Sequence, residues 1–241
     1  MPRSMSLFSL LPVIIAFLLP AGCTKSGTTA VADSTHITVP TGAAKTWLAL
    51  GDSYTIGQSV DNSLRYPAQA TALLKAGGVN MTDPEYIATT GWTTNDLINA
   101  INLKNPKGPY DIVTLLIGVN DQYQHLDTGA YRKNFTQLLQ TSIQLAGNNI
   151  SHVFVLSIPD YGVTPFGASD SANIRKQIDQ FNNINKQITL ALRVSYTDIT
   201  PASRLAKNDA SLIAGDGLHP SGTQYAAWAN LLFPALLQVL K

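Results

Sequence analysis

The sequence predicts an α/β fold, a parallel sheet with helices on both faces, and three observations carry that prediction. Short runs such as "DIVTLLIG" from Asp111 and "HVFVLSI" from His152 are almost wholly apolar, as strands covered on both faces must be. Between them lie stretches whose apolar residues recur at helical spacing, with Phe135, Leu138, Leu139, Ile143 and Ala146 on one face. The two patterns alternate along the chain, and such alternation implies crossover connections between parallel strands.

The elements follow in order. Trp47 to Leu50 is a first strand, and Tyr66 to Ala76 reads as a helix ended by Gly77-Gly78. Tyr86 to Ala88 is a short second strand. "TTND" at Thr93 to Asp96 has capping-box spacing ahead of Leu97, Ile98 and Ile101. The Asp111 run is a third strand, the Phe135 stretch a helix and the His152 run a fourth strand. Ile174, Ile178, Phe181, Ile188 and Leu192 mark the face of a long helix, and "VSYTDI" from Val194 is a fifth strand. Ser221 and Gln224 repeat the capping-box spacing before a last helix with Tyr225, Trp228, Ala229 and Leu232 on one side. Pro234 is expected to kink or interrupt that helix.

The amino terminus reads differently. Leu7 to Leu19, "LFSLLPVIIAFLL", is apolar except for Ser9 and Pro12, follows Arg3 and ends in "LLPAGC". This suits the apolar region of a signal peptide better than a membrane span, which needs about 20 residues. Ala21 and Gly22 before Cys23 resemble the lipobox of bacterial lipoproteins, although Pro20 stands where that motif usually has leucine. The resemblance implies that Cys23 is lipidated and becomes the mature amino terminus, anchored to the outer membrane if the cell has two. The alternative is an ordinary export signal, releasing a periplasmic or secreted protein. Residues 1–22 are therefore expected to be a signal peptide and residues 23–45, rich in Ser, Thr, Gly and Ala, a flexible tether. The folded domain is expected over 46–241.

Composition narrows the function. Sixteen basic residues against fifteen acidic give a net charge of +1, too little to attract nucleic acid. A single cysteine excludes an intrachain disulfide framework, and the four histidines are scattered without an HExxH-type pair, so a metal site has little support.

In a parallel sheet the working groups gather in the loops after the strands. Here those loops carry Gly51-Asp52-Ser53 after the first strand and "TTGWTTNDL", with Gly91, after the second. "IGVND", with Asn120, follows the third, and "GDGLHPSG", with Asp216 and His219, precedes the last helix. Together they hold what a serine esterase requires. A hydroxyl nucleophile needs a base, the histidine base needs an acceptor to fix its tautomer, and a tetrahedral intermediate needs donors for its oxyanion. The N–H groups of Ser53 and Gly91 and the Asn120 amide are candidate donors, Gly91 because a glycine lets the backbone approach closely. Each motif alone fits an ordinary turn, cap or loop; all four in this order do not arise readily by accident.

At "GDSY", "TTGWTT", "GVND" and "DGLHP" the sequence resembles the SGNH hydrolases, the GDSL-type esterases and lipases, from about Trp47 to the carboxyl terminus. The resemblance implies a three-layer α/β/α flavodoxin-like fold with five parallel strands. It also implies ester hydrolysis through an acyl-enzyme without metal or cofactor. It assigns Ser53, Asp216 and His219 as catalytic residues, and Ser53, Gly91 and Asn120 as the oxyanion hole. Tyr54 stands in place of the signature leucine, a change expected to lie away from the catalytic atoms. Tyr54, Trp92, Tyr123, Tyr161 and Phe166 are candidate pocket residues, with core packing the equal alternative for each, and the last two stand in the site-lining loop "PDYGVTPFG". The expected substrate is a short-chain acyl, lysophospholipid or acetylated-glycan ester. A rival class is an inactive surface lipoprotein that only binds glycan or lipid.

Overall fold

The structure is a computed structural model, and it describes residues 42–241. The signal peptide, Cys23 and residues 23–41 of the expected tether lie outside the described residues. Within them the elements run β1 (Trp47–Gly51), α1 (Ser53–Ile56), α2 (Tyr66–Ala76), β2 (Glu85–Ala88), α3 (Thr94–Lys104) and β3 (Ile112–Leu116). There follow α4 (Val119–Tyr123), α5 (Thr128–Leu145), β4 (Val153–Leu156), α6 (Ser171–Ala191), β5 (Ser195–Thr197), α7 (Thr200–Ser203) and α8 (Gly222–Leu240).

The five strands form one parallel sheet in the order β2-β1-β3-β4-β5. Composition explains the order. Every residue of β1, β3 and β4 is buried, so these apolar runs take the centre. The edges fall to β2, which opens on the exposed Glu85, and to β5, whose Ser195-Tyr196-Thr197 is only partly buried. Right-handed crossovers do the rest. The step from β1 to β2 runs one way and the later steps run the other, so α2 falls on one face and α3, α5 and α6 on the opposite one. The contacts agree: α2 packs against α8, α3 against α5, and α5 against α6. This is the three-layer arrangement the resemblance implies. The direction of winding reverses between β1 and β3, which opens a crevice at their carboxyl ends.

Three expectations need correction. Of the two outcomes expected at Pro234, interruption does not occur, because α8 continues through it to Leu240. A proline forfeits the bond to the carbonyl four residues back, but Leu232 and Leu236 on either side of it are fully buried, and their packing holds the turn. The second capping box is half formed. Ser221 Oγ accepts from the Gln224 N–H at 3.4 Å, but the Gln224 side chain turns inward to the Ser203 carbonyl. The Ser221 N–H needs no glutamine, since it donates to the Leu212 carbonyl at 2.9 Å. The first box, by contrast, is complete: Thr93 and Asp96 each cap the other's backbone. Finally, the folded region includes Lys45, which the tether was expected to contain. Lys45 bridges to Met81 and pairs with Asp111 at 3.0 Å.

Candidate active site

The site is built from the strand ends upward. β1 ends at Gly51, where a Cβ would sit 2.3 Å from the Leu116 carbonyl oxygen of the neighbouring strand. Only glycine lets the chains approach so closely before the turn. Asp52 then caps α1, its Oδ1 accepting the Tyr54 N–H at 3.0 Å. Burial pushes the Asp52 carboxyl up to about 8, with the Asp121 charge adding to the effect and hydrogen bonds opposing it. Burial thus favours its neutral form. Ser53 opens the helix, so its N–H is one of the donors a helix start leaves without an intrahelical acceptor.

Gly91 lies three residues past β2 with φ +84°, and a Cβ there would meet nothing within 4 Å. The glycine is thus required by its left-handed backbone, not by the close approach of protein atoms. Among the described residues, neither the Ser53 nor the Gly91 N–H meets a protein acceptor. The loop after Gly91 is pinned twice. Thr93 caps α3, and Asp121 Oδ2 accepts the Thr94 N–H at 2.9 Å while its Oδ1 accepts the Thr94 hydroxyl at 2.5 Å.

Asn120, in α4, donates one amide N–H to the Trp92 carbonyl at 2.9 Å. A carboxamide carries two N–H donors, so one remains. The Trp92 side chain does not line the site, contrary to its place among the pocket candidates. It packs half-buried against the hydrophobic core, and only its carbonyl serves the site.

In the loop before α8, His219 Nδ1 lies 2.6 Å from Asp216 Oδ2. Partial burial pushes the Asp216 carboxyl up. Hydrogen bonds from Ser59, the His219 ring and the N–H groups of Leu218 and His219 outweigh that and hold it well below the usual carboxylate range. An ionised carboxylate can only accept, so Nδ1 carries a proton and Nε2 is the nitrogen left to act as the base.

These groups converge on one cleft of about 150 Å³. Ser53, Gly91, Asn120 and His219 line it, with Tyr54, Tyr123, Tyr161 and Phe166 as aromatic walls. Tyr54 is nearer the catalytic atoms than expected, its ring centroid 5.5 Å from that of His219. Thr90, Val119 and Leu218 also line the cleft. They are ordinary residues beside the motifs, and no sequence signal marks them. Among the described residues the Ser53 hydroxyl has no hydrogen-bond partner, which leaves it free to turn toward the cleft.

The model of the GDSL-like Lipase/Acylhydrolase family matches residues 49–227. The chain belongs to that family. Membership makes it a hydrolase of ester bonds. No curated protein matches the sequence. Solved structures of the same fold include TesA, with 16% identity, TM-score 0.64, and coverage of 81% of this chain and 100% of the other. The lipase/acylhydrolase from Enterococcus faecalis is 20% identical with TM-score 0.64, covering 82% of this chain and 97% of the other. The acetylxylan esterase Axe2 from Geobacillus stearothermophilus is 21% identical with TM-score 0.57, covering 83% and 96%. At these identities the likeness is one of fold.

Proposed function

We propose that this GDSL-family chain is a serine esterase acting on short-chain acyl esters through an acyl-enzyme. The observation that carries the reading is the Asp216–His219 pair at 2.6 Å, facing the same cleft as Ser53. In this mechanism Nε2 of His219 takes the Ser53 Oγ proton as Oγ bonds to the acyl carbon. The Asp216 carboxylate stabilises the imidazolium so formed. The N–H groups of Ser53 and Gly91 and the second Asn120 N–H bond the oxyanion. Collapse breaks the bond to the alcohol oxygen, which leaves with the proton from Nε2. Water repeats the cycle on the acyl-enzyme and releases the acid.

Cleft size supports a small acyl group. A space of about 150 Å³ is below the 300 Å³ or so at which pockets begin to take drug-sized ligands. Acetyl to butyryl esters, acetylated glycans among them, fit that size better than a lysophospholipid does. The amino terminus adds export and a lipid anchor on Cys23 to this proposal.

Hydrolysis of p-nitrophenyl esters of graded chain length tests it, with fluorophosphonate labelling beside it. Rates should peak at two to four acyl carbons, and Ser53→Ala should abolish both turnover and labelling while leaving the fold intact. Labelling that survives Ser53→Ala would give the nucleophile to another residue. A peak at long chains would overturn the substrate class.

A further inference from the structure

Two exposed side chains tie the nucleophile's turn to the rest of the site. α1 ends on Gly57 in the left-handed conformation, and the N–H groups of Gly57 and Gln58 both bond the Ser53 carbonyl. The turn therefore hangs from the nucleophile's own backbone. From it, the Ser59 hydroxyl reaches across 157 residues of sequence to donate to Asp216 Oδ2 at 2.6 Å. That is the oxygen that faces His219 Nδ1, also at 2.6 Å. Beside it, Gln58 Oε1 accepts from the Thr90 hydroxyl at 2.7 Å, and Thr90 immediately precedes Gly91.

Neither contact is needed to keep a polar group satisfied, since Gln58 and Ser59 are exposed and water would serve. Ser59 also has φ +67°, a left-handed conformation that costs a non-glycine residue free energy and persists only where the surroundings enforce it. The strain and the two bonds gain meaning only if the turn has to stand in a fixed place.

We propose that Ser59, with Gln58 beside it, is a positioning residue that fixes Asp216 and the Gly91 loop relative to Ser53. The proposal rests on the serine-esterase reading above. Its chemistry is a chain of contacts: Ser53 backbone, turn, Ser59 hydroxyl, Asp216 carboxylate and His219 imidazole, which lines the same cleft as Ser53. A hydroxyl on the second lone pair of Oδ2 fixes the direction of the first, and so the plane of the imidazole.

Ser59→Gly removes the hydroxyl and relieves the backbone, and Ser59→Ala removes the hydroxyl while keeping the backbone cost. Each should lower kcat on p-nitrophenyl acetate roughly 3–10-fold, with KM within about twofold and the melting temperature little changed. Added to Asp216→Asn, either substitution should produce no further fall, because Ser59 acts through that carboxylate. Parent-like kcat in either variant, or an equal fall in both backgrounds, overturns the proposal and leaves the esterase reading standing. A parent enzyme that neither turns over nor takes the fluorophosphonate overturns both.

Discussion

Asn120 is the residue on which the site's geometry makes its sharpest demand. One amide N–H is spent on the Trp92 carbonyl, and the other is the one proposed for the oxyanion. The second bond matters as charge develops, so Asn120→Ala should lower kcat by roughly 10²–10³-fold with little change in KM. A merely structural amide would instead cost about 1 kcal/mol of stability with catalysis nearly untouched. Melting temperature and kcat measured on one preparation separate the two. Asp52, next to the nucleophile, makes a different prediction. Burial pushes its carboxyl from the ordinary 3.8 up to about 8, so between those values the folded state binds more protons than the unfolded one. Its contribution to stability is therefore present below about pH 4 and lost as pH rises toward 8. Asp52→Asn presents an N–H where the neutral acid presents an O–H, without the titration. The variant's melting temperature should gain on the parent's steadily from pH 5 to pH 8. A constant difference across that range would mean that Asp52 is already ionised when folded.

At the scale of elements, the loop between β2 and α3 is the most sharply specified. Gly91→Ala meets no steric obstacle, since a Cβ there has nothing within 4 Å. It must still hold φ near +84°, at a cost of about 1 kcal/mol or a shifted N–H. Kinetics and calorimetry should show a kcat loss that exceeds the small fall in stability; unchanged kcat would remove that N–H from the mechanism. Much of this scale was legible in the sequence. Fully apolar runs read as central strands because burial on both faces leaves no polar position, and "TTND" reads as a cap because the Thr93 and Asp96 side chains each serve the other's backbone N–H, three residues apart. Elements set by distant partners were not legible. The half-formed box at Ser221 depends on Leu212 and Ser203, the persistence of α8 through Pro234 depends on packing, and the choice of Trp92 between pocket and core depends on the core beside it. Ser59 was invisible for the same reason. Its partner lies 157 residues away, and nothing within its own stretch marks it.

The whole molecule places its chemistry where the sheet's winding reverses, with Ser53 beyond β1 and Asn120 beyond β3. The four site loops were recoverable from sequence because a parallel sheet sends every strand's carboxyl end to one side. The proposed lipid anchor is a separate matter. Cys23→Ser should move the protein from the membrane to the soluble fraction without changing turnover of soluble esters, as fractionation and assay would show. Retention at the membrane would remove lipidation as the anchor. The docking of α8 on α2 has one more consequence, for the lifetime of activity. His219 stands just ahead of α8, whereas Ser53 is rooted in a central strand. A transient opening of that final helix would carry the base away while the nucleophile stayed in place, leaving a mostly folded but silent enzyme. Such partial openings lie below global unfolding in free energy. Activity should therefore vanish at lower urea than the helical circular dichroism does, and coincident loss would show that α8 opens only with the whole sheet.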